Sequence, residues 1–204
     1  MRVRTTINFN LTKAPFDNQK VREAFVRLRP ARPTSADALK DTEVKTLTWI
    51  PPGYLATTPT RSASTSTPAK GKAALAEAGF PEGKGLPEIK WSYNSNNPAN
   101  QARVEYIIQM YQKSLGITIV PDPVEGTTLV NLRKSVETYL QILTGGWCAD
   151  YPTSRTGSAS TGTRAPLLAA NTGYKNAAAD KLMDAADIEV DPAKARGPVP
   201  AGAL

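Results

Sequence analysis

The sequence predicts an α/β fold with a mainly parallel sheet flanked by helices. Three observations carry this. Apolar residues alternate at period two in short runs, Ile7-Phe9-Leu11 and Ile89-Trp91-Tyr93. Apolar residues at helical spacing lie between such runs, most plainly at Val104, Ile107, Ile108, Tyr111 and Leu115. From Glu88 onward the order is strand, helix, strand, helix, strand, which implies parallel pairing through crossover connections.

Thr5 to Leu11 reads as a half-buried strand, with Asn8 and Asn10 opposite its apolar side. Pro15-Phe16-Asp17 then starts a helix with Asp17 as N-cap, and Val21, Ala24, Phe25 and Leu28 form its apolar face. Arg29-Pro30-Ala31-Arg32-Pro33 stops it. From there to Pro68 the pattern fails, and the Thr, Ser, Ala and Pro of 56–67 read as loop or disorder.

Order returns at Thr67, a helix cap, with Pro68 at the first helical position and Gly79 as the stop. Glu88 to Tyr93 is a strand with Lys90 and Ser92 on its polar side. Asn97-Pro98 opens the long helix and Gly116 closes it. Ile117 to Val120 is a strand, Thr127 to Lys134 a short helix, and Tyr139 to Leu143 a buried strand. Asn176 caps a last helix carrying Leu182, Met183 and Ala186, and the Pro, Gly and Ala tail from Pro192 frays.

The 204 residues leave room for one or two domains and a sizeable core, at 40% hydrophobic content and 17 prolines. No run of about 18 apolar residues is present to span a membrane. Met1 to Thr6 has charge but no apolar stretch behind it, so it does not read as a signal peptide. The net charge is +7, yet Lys and Arg are scattered and do not cluster with aromatics. A basic surface fits better than a nucleic-acid module, which would bind DNA with a steep salt dependence. There is no His, which excludes Ser-His-Asp and Cys-His pairs and His-based metal sites. A single Cys builds neither an internal disulfide nor a thiolate metal site. No metal, cofactor or catalytic residue is expected.

Gly79 to Lys84 lacks the spacing of a phosphate loop and leads into a strand, so it reads as a solvent turn. Glu125 and Asp150 near strand ends could form a carboxylate pair, which keeps a small carboxylate-dependent hydrolase as the alternative function. Gly145 to Pro152 is the more informative stretch. It places Trp147, Cys148 and Asp150 on a loop leaving a strand end, where open α/β sheets bind ligands. Trp147 alone is more often a core or rim aromatic, and Asp150 alone a loop cap. Together they suit a cationic ligand: a shielded carboxylate strengthens a hydrogen bond to an ammonium group, and Trp supplies an apolar wall with cation–π attraction.

Several motifs in the same order resemble the family 5 extracellular solute-binding proteins, the peptide receptors of bacterial ABC importers. They are Pro15 to Phe25, Ile50-Pro51-Pro52-Gly53, Pro68 to Phe80, Leu115-Gly116-Ile117, Gly146 to Tyr151, and Asn176 to Lys194. The resemblance implies one lobe of a periplasmic-binding-protein-like fold that closes with a second lobe over its ligand. It implies that Asp150 binds a peptide α-amino group, that Trp147, Cys148 and Ala149 line the same segment, and that Arg133 faces the ligand carboxylate. The implied partners are a peptide or similar small solute and the membrane permease subunits of the importer. The implied setting is periplasmic or cell-surface anchored, with the chain a monomer that binds no nucleic acid.

Departures accompany the match. Val26 to Pro33 replaces the family's usual continuation of the first helix, and Gly126 stands where a Trp commonly follows Glu125. Thr153 to Thr163 is Ser, Thr and Gly where relatives are acidic and apolar. Relatives are also much longer. The expectation is therefore a fragment, from a truncated or interrupted gene, that binds peptide weakly or not at all when isolated. Residues 1–66 are expected to be a hinge or partial lobe segment, part of it disordered. Residues 67–191 form the α/β lobe with ligand loop 145–152, and 192–204 form a flexible tail.

Overall fold

The computed structural model describes residues 3–27, 67–148 and 170–178, together with 181 and 184–185. Within them lie strands β1 (Val3–Phe9), β2 (Ile89–Asn94), β3 (Ile119–Val124) and β4 (Ile142–Cys148). The helices are α1 (Gln19–Arg27), α2 (Pro68–Glu77), α3 (Pro98–Leu115) and α4 (Gly126–Leu132). The strands form one sheet in the order β1-β4-β2-β3. β2 pairs in parallel with both β3 and β4, and β1 closes the other side antiparallel to β4. The sheet is thus mainly parallel and flanked by helices, as the periodicity predicts.

One face of the sheet carries most of the core. Ile89, Trp91 and Tyr93 alternate toward it, and Val21, Phe25, Leu75, Val104 and Leu115 of the first three helices cover them. Residues of 3–27 therefore share a single core with those of 67–148. Phe9 stacks on Phe16 with ring centroids 4.7 Å apart, and Phe25 meets both edge-on at 5.7 and 5.1 Å. Tyr111 is buried but donates its hydroxyl to the Phe25 carbonyl at 2.8 Å, so its polar end is satisfied. The opposite face has a smaller cluster of Leu129, Tyr139 and Leu143. Burial there pushes the Tyr139 phenol up to about 12.

The helix signals act as expected. Thr67 Oγ1 accepts from the Lys70 N–H, and Asn97 Oδ1 accepts from the N–H groups of Ala99 and Asn100. Gly116 closes α3 at φ 74°, and a Cβ there would lie 2.9 Å from the Glu82 carbonyl oxygen. Asn97→Ala should cost about 1 kcal/mol of stability, the usual worth of such a cap, measurable by urea unfolding. Among the described residues no helix is long and apolar enough to cross a membrane.

Four local expectations are corrected. Asn18, not Asp17, caps α1: its Oδ1 accepts from the Lys20 N–H at 2.8 Å, while Asp17 accepts from Asn18. Ser92 is fully buried instead of solvent-facing, because its hydroxyl donates to Asp122 on the neighbouring strand at 2.6 Å. β3 continues through Pro121 and Pro123, which an edge strand tolerates. β4 begins at Ile142 and runs through Gly145 and Gly146 to Cys148, where the glycine pair suggests a loop. Leu28, the segment 29–66 and the last-helix residues Leu182, Met183 and Ala186 lie outside the described residues.

Candidate functional site

The chain order of the strands reverses around β2. From β2 the chain moves outward to β3 through α3 on one face. It then returns past β2 to β4 through α4 on the other. The carboxyl ends of β2 and β4 flank this switch point, where open α/β sheets form their ligand crevice.

The two strands separate there. The ladder between β2 and β4 has only the pairs Trp91↔Ile142 and Ser92↔Leu143. The ladder between β4 and β1 runs on to Val3↔Cys148. Beyond Leu143, β4 is therefore paired on one side only among the described residues. The Asn10 N–H donates to the Gln141 carbonyl at 2.9 Å, which turns the Gln141 peptide groups toward β1. Alternation then turns those of Leu143, Gly145 and Trp147 toward β1 as well. The peptide groups of Gly146 and Cys148 point to the open side. A glycine inside a strand often marks the close approach of a ligand or another backbone, and this strand has two in succession.

β4 is held in place from below. Trp91 is fully buried and its indole N–H donates to Thr144 Oγ1 at 2.9 Å, the last side-chain tie between β2 and β4 before Gly145. Gln141 bridges three segments at the start of the strand: it donates to the Ala14 and Glu88 carbonyls and accepts from the Lys90 N–H.

The sequence-predicted residues fall as follows. Trp147 and Cys148 are the last two residues of β4, opposite Arg4 and Val3, so they belong to a strand and not to a loop. Ala149 and Asp150 lie outside the described residues, directly after that strand end. Arg133 is the C-cap of α4. Its carbonyl accepts from the Asn171 side chain, and its buried Nε has no hydrogen-bond partner among the described residues. Glu125 is the N-cap of α4: Oε1 accepts from the Thr127 N–H at 2.8 Å and Oε2 from the Thr128 N–H at 2.9 Å. The backbone donor at Thr127, then that at Thr128, holds its carboxyl below the usual range. An acid kept ionised in this way is a poor proton donor at neutral pH. Among the described residues no group of three or more His, Cys, Asp or Glu is placed to hold a metal.

Sequence reasoning missed the open edge of β4. Its chemistry lies in backbone groups, which no side-chain identity announces. The clue was the Gly145-Gly146 pair beside a buried strand. A depression of about 310 Å³ lies at the opposite end of the sheet, between Leu86, Glu88, Ile117 and Val120, away from this crevice.

A family model described as "Bacterial extracellular solute-binding proteins, family 5 Middle" matches residues 3–166. Solved structures agree in fold. A periplasmic oligopeptide-binding protein of an oligopeptide ABC transporter from Borrelia burgdorferi is 26% identical, with a TM-score of 0.83 over 95% of this chain and 38% of that one. The Escherichia coli murein tripeptide binding protein is 24% identical, with a TM-score of 0.80 over 95% and 38%. Haemophilus influenzae OppA, in complex with RPPGFSPFR, is 21% identical, with a TM-score of 0.81 over 95% and 39%. The chain thus spans less than two-fifths of the length of these three proteins. Among curated protein sequences none matches.

Proposed function

The chain belongs to the bacterial extracellular solute-binding proteins, family 5, and we propose that it is part of a peptide-binding component of an ABC importer. Family 5 is a family of solute-binding components and not of enzymes. The observation that carries the reading is the half-paired end of β4, which offers the peptide groups of Gly146 and Cys148 beside Trp147. An extended peptide can add to such an edge through its main chain. Affinity then comes from backbone hydrogen bonds that tolerate many side chains.

Asp150 follows that edge within two residues and is the proposed anchor for the peptide α-amino group. Trp147 walls the same segment, Cys148 and Ala149 contribute main chain, and the ligand segment 145–152 is the end of β4 with the residues that follow it. Arg133 is the proposed cation for the ligand carboxylate. The ligand is a peptide or similar small cationic solute, bound outside the cytoplasm and passed to membrane permease subunits. The chain works as a monomer and as one lobe of a larger receptor, so its own affinity is low. The hydrolase alternative gains nothing, because Glu125 spends both oxygens on capping α4.

Calorimetry with short peptides tests this. The expected result is binding without turnover. Affinity should fall about tenfold or more on N-acetylation of the peptide or with Asp150→Asn, the worth of one charge-assisted hydrogen bond. Hydrolysis of the peptide, or binding indifferent to both changes, would contradict the reading. Gly146→Pro removes an N–H on the open side without touching the β1 ladder. It should weaken different peptides alike, by about tenfold for one lost main-chain bond, with an unchanged circular dichroism spectrum.

A further inference from the structure

Among the described residues β3 ends the strand order, and its ladder to β2 runs from Ile89↔Ile119 to Asn94↔Val124. The Ser95 N–H donates to the Val124 carbonyl at 2.9 Å, so the Val124 peptide groups face β2. By alternation those of Val120 and Asp122 face β2 as well, and those of Ile119, residue 121 and residue 123 face outward. Residues 121 and 123 are both proline, and both are exposed. Two of the three outward N–H positions on this strand are thus empty of donors. None of the donors that β2 uses is lost.

We propose that Pro121 and Pro123 close the β3 edge to strand addition, so that a second copy of this chain cannot pair with it. An incoming strand must find donors and acceptors in alternation. Here it meets unmatched carbonyls and the bulk of two pyrrolidine rings. The remainder of the strand makes such protection useful. Ile119, Val120 and Val124 are β-branched, Val120 is 38% exposed, and the segment bears a single charge at Asp122. The Ser92–Asp122 hydrogen bond keeps β3 on β2 in the register that turns both prolines outward. A consequence is directional. The sheet accepts extended chains at the end of β4 and refuses them at β3.

The test is Pro121→Val combined with Pro123→Val in the full chain, followed by analytical ultracentrifugation over a hundredfold concentration range. The double variant should show a dimer fraction that rises with concentration, with self-association at least tenfold tighter than in the parent chain. A folded double variant that sediments like the parent at every concentration would overturn the proposal. Pro121→Ala and Pro123→Ala singly restore one donor each and should self-associate more weakly than the double variant. Unfolding of both single variants would also overturn it, because the prolines would then serve the strand itself and not its edge.

Discussion

Trp91→Ala should lower the stability of the chain by about 3–5 kcal/mol, the usual cost of deleting a large buried aromatic. Trp91 is fully buried and lies in the main cluster with its ring centroid 6.2 Å from that of Tyr111. Among the described residues it is the largest fully buried side chain. It also bonds Thr144 through its indole N–H at 2.9 Å. Since domains are stable by only about 5–15 kcal/mol, much of the total would be lost, visible as a large drop in the urea midpoint. Trp91→Phe separates the two contributions. It keeps most of the packing and deletes the donor, so about 1–3 kcal/mol should disappear, including the cost of leaving Thr144 Oγ1 buried without that donor. A loss near zero for Trp91→Phe would mean that the tie between β2 and β4 carries no energy.

Asn10→Ala should cost about 2–4 kcal/mol, because one fully buried amide serves three residues through four hydrogen bonds. Its Nδ2 donates to the Tyr139 carbonyl at 3.0 Å and the Val136 carbonyl at 3.2 Å. Its Oδ1 accepts from the Thr12 N–H at 3.0 Å and the Thr12 hydroxyl at 2.7 Å. Alanine removes all four bonds and fills none of the space. Asn10→Asp gives a signed test. A carboxylate would face two carbonyls while buried, so its pKa in the folded state would rise above the unfolded value. The variant should therefore approach the parent's stability at acid pH, where the neutral acid can donate. It should lose that ground as pH rises through the raised folded pKa. A variant equally destabilised at pH 4 and pH 7 would contradict this.

The parts of the fold that were legible had redundant local signals. α3 shows a cap at Asn97, Pro98 after it, a stripe from Val104 to Leu115 and Gly116 at its end, and all agree. β3 and β4 were harder because residues that usually break strands lie inside them. Pro121 and Pro123 survive in β3 because their missing N–H groups fall on its outer side, which depends on pairing register and not on composition. Gly145 and Gly146 survive in β4 because β1 pairs with it throughout. Ser92 looked solvent-facing by alternation, but burial of both faces of β2 overrides that pattern, and Asp122 satisfies the hydroxyl. Trp147 and Cys148 were expected on a loop after the strand and instead are its last two residues. The open backbone edge beside them was invisible, because it arises where β2 and β4 diverge.

Peptide is proposed to bind at the end of β4. Amide chemical-shift mapping on isotope-labelled protein tests it most directly, since it detects weak binding residue by residue. On addition of an unmodified short peptide, saturable shifts are expected at Gly146, Cys148 and Asp150, with Ile119 and Asp122 on β3 unmoved. Shifts that saturate on β3 or around Ile117 and Thr118 while Gly146 and Cys148 stay still would contradict it.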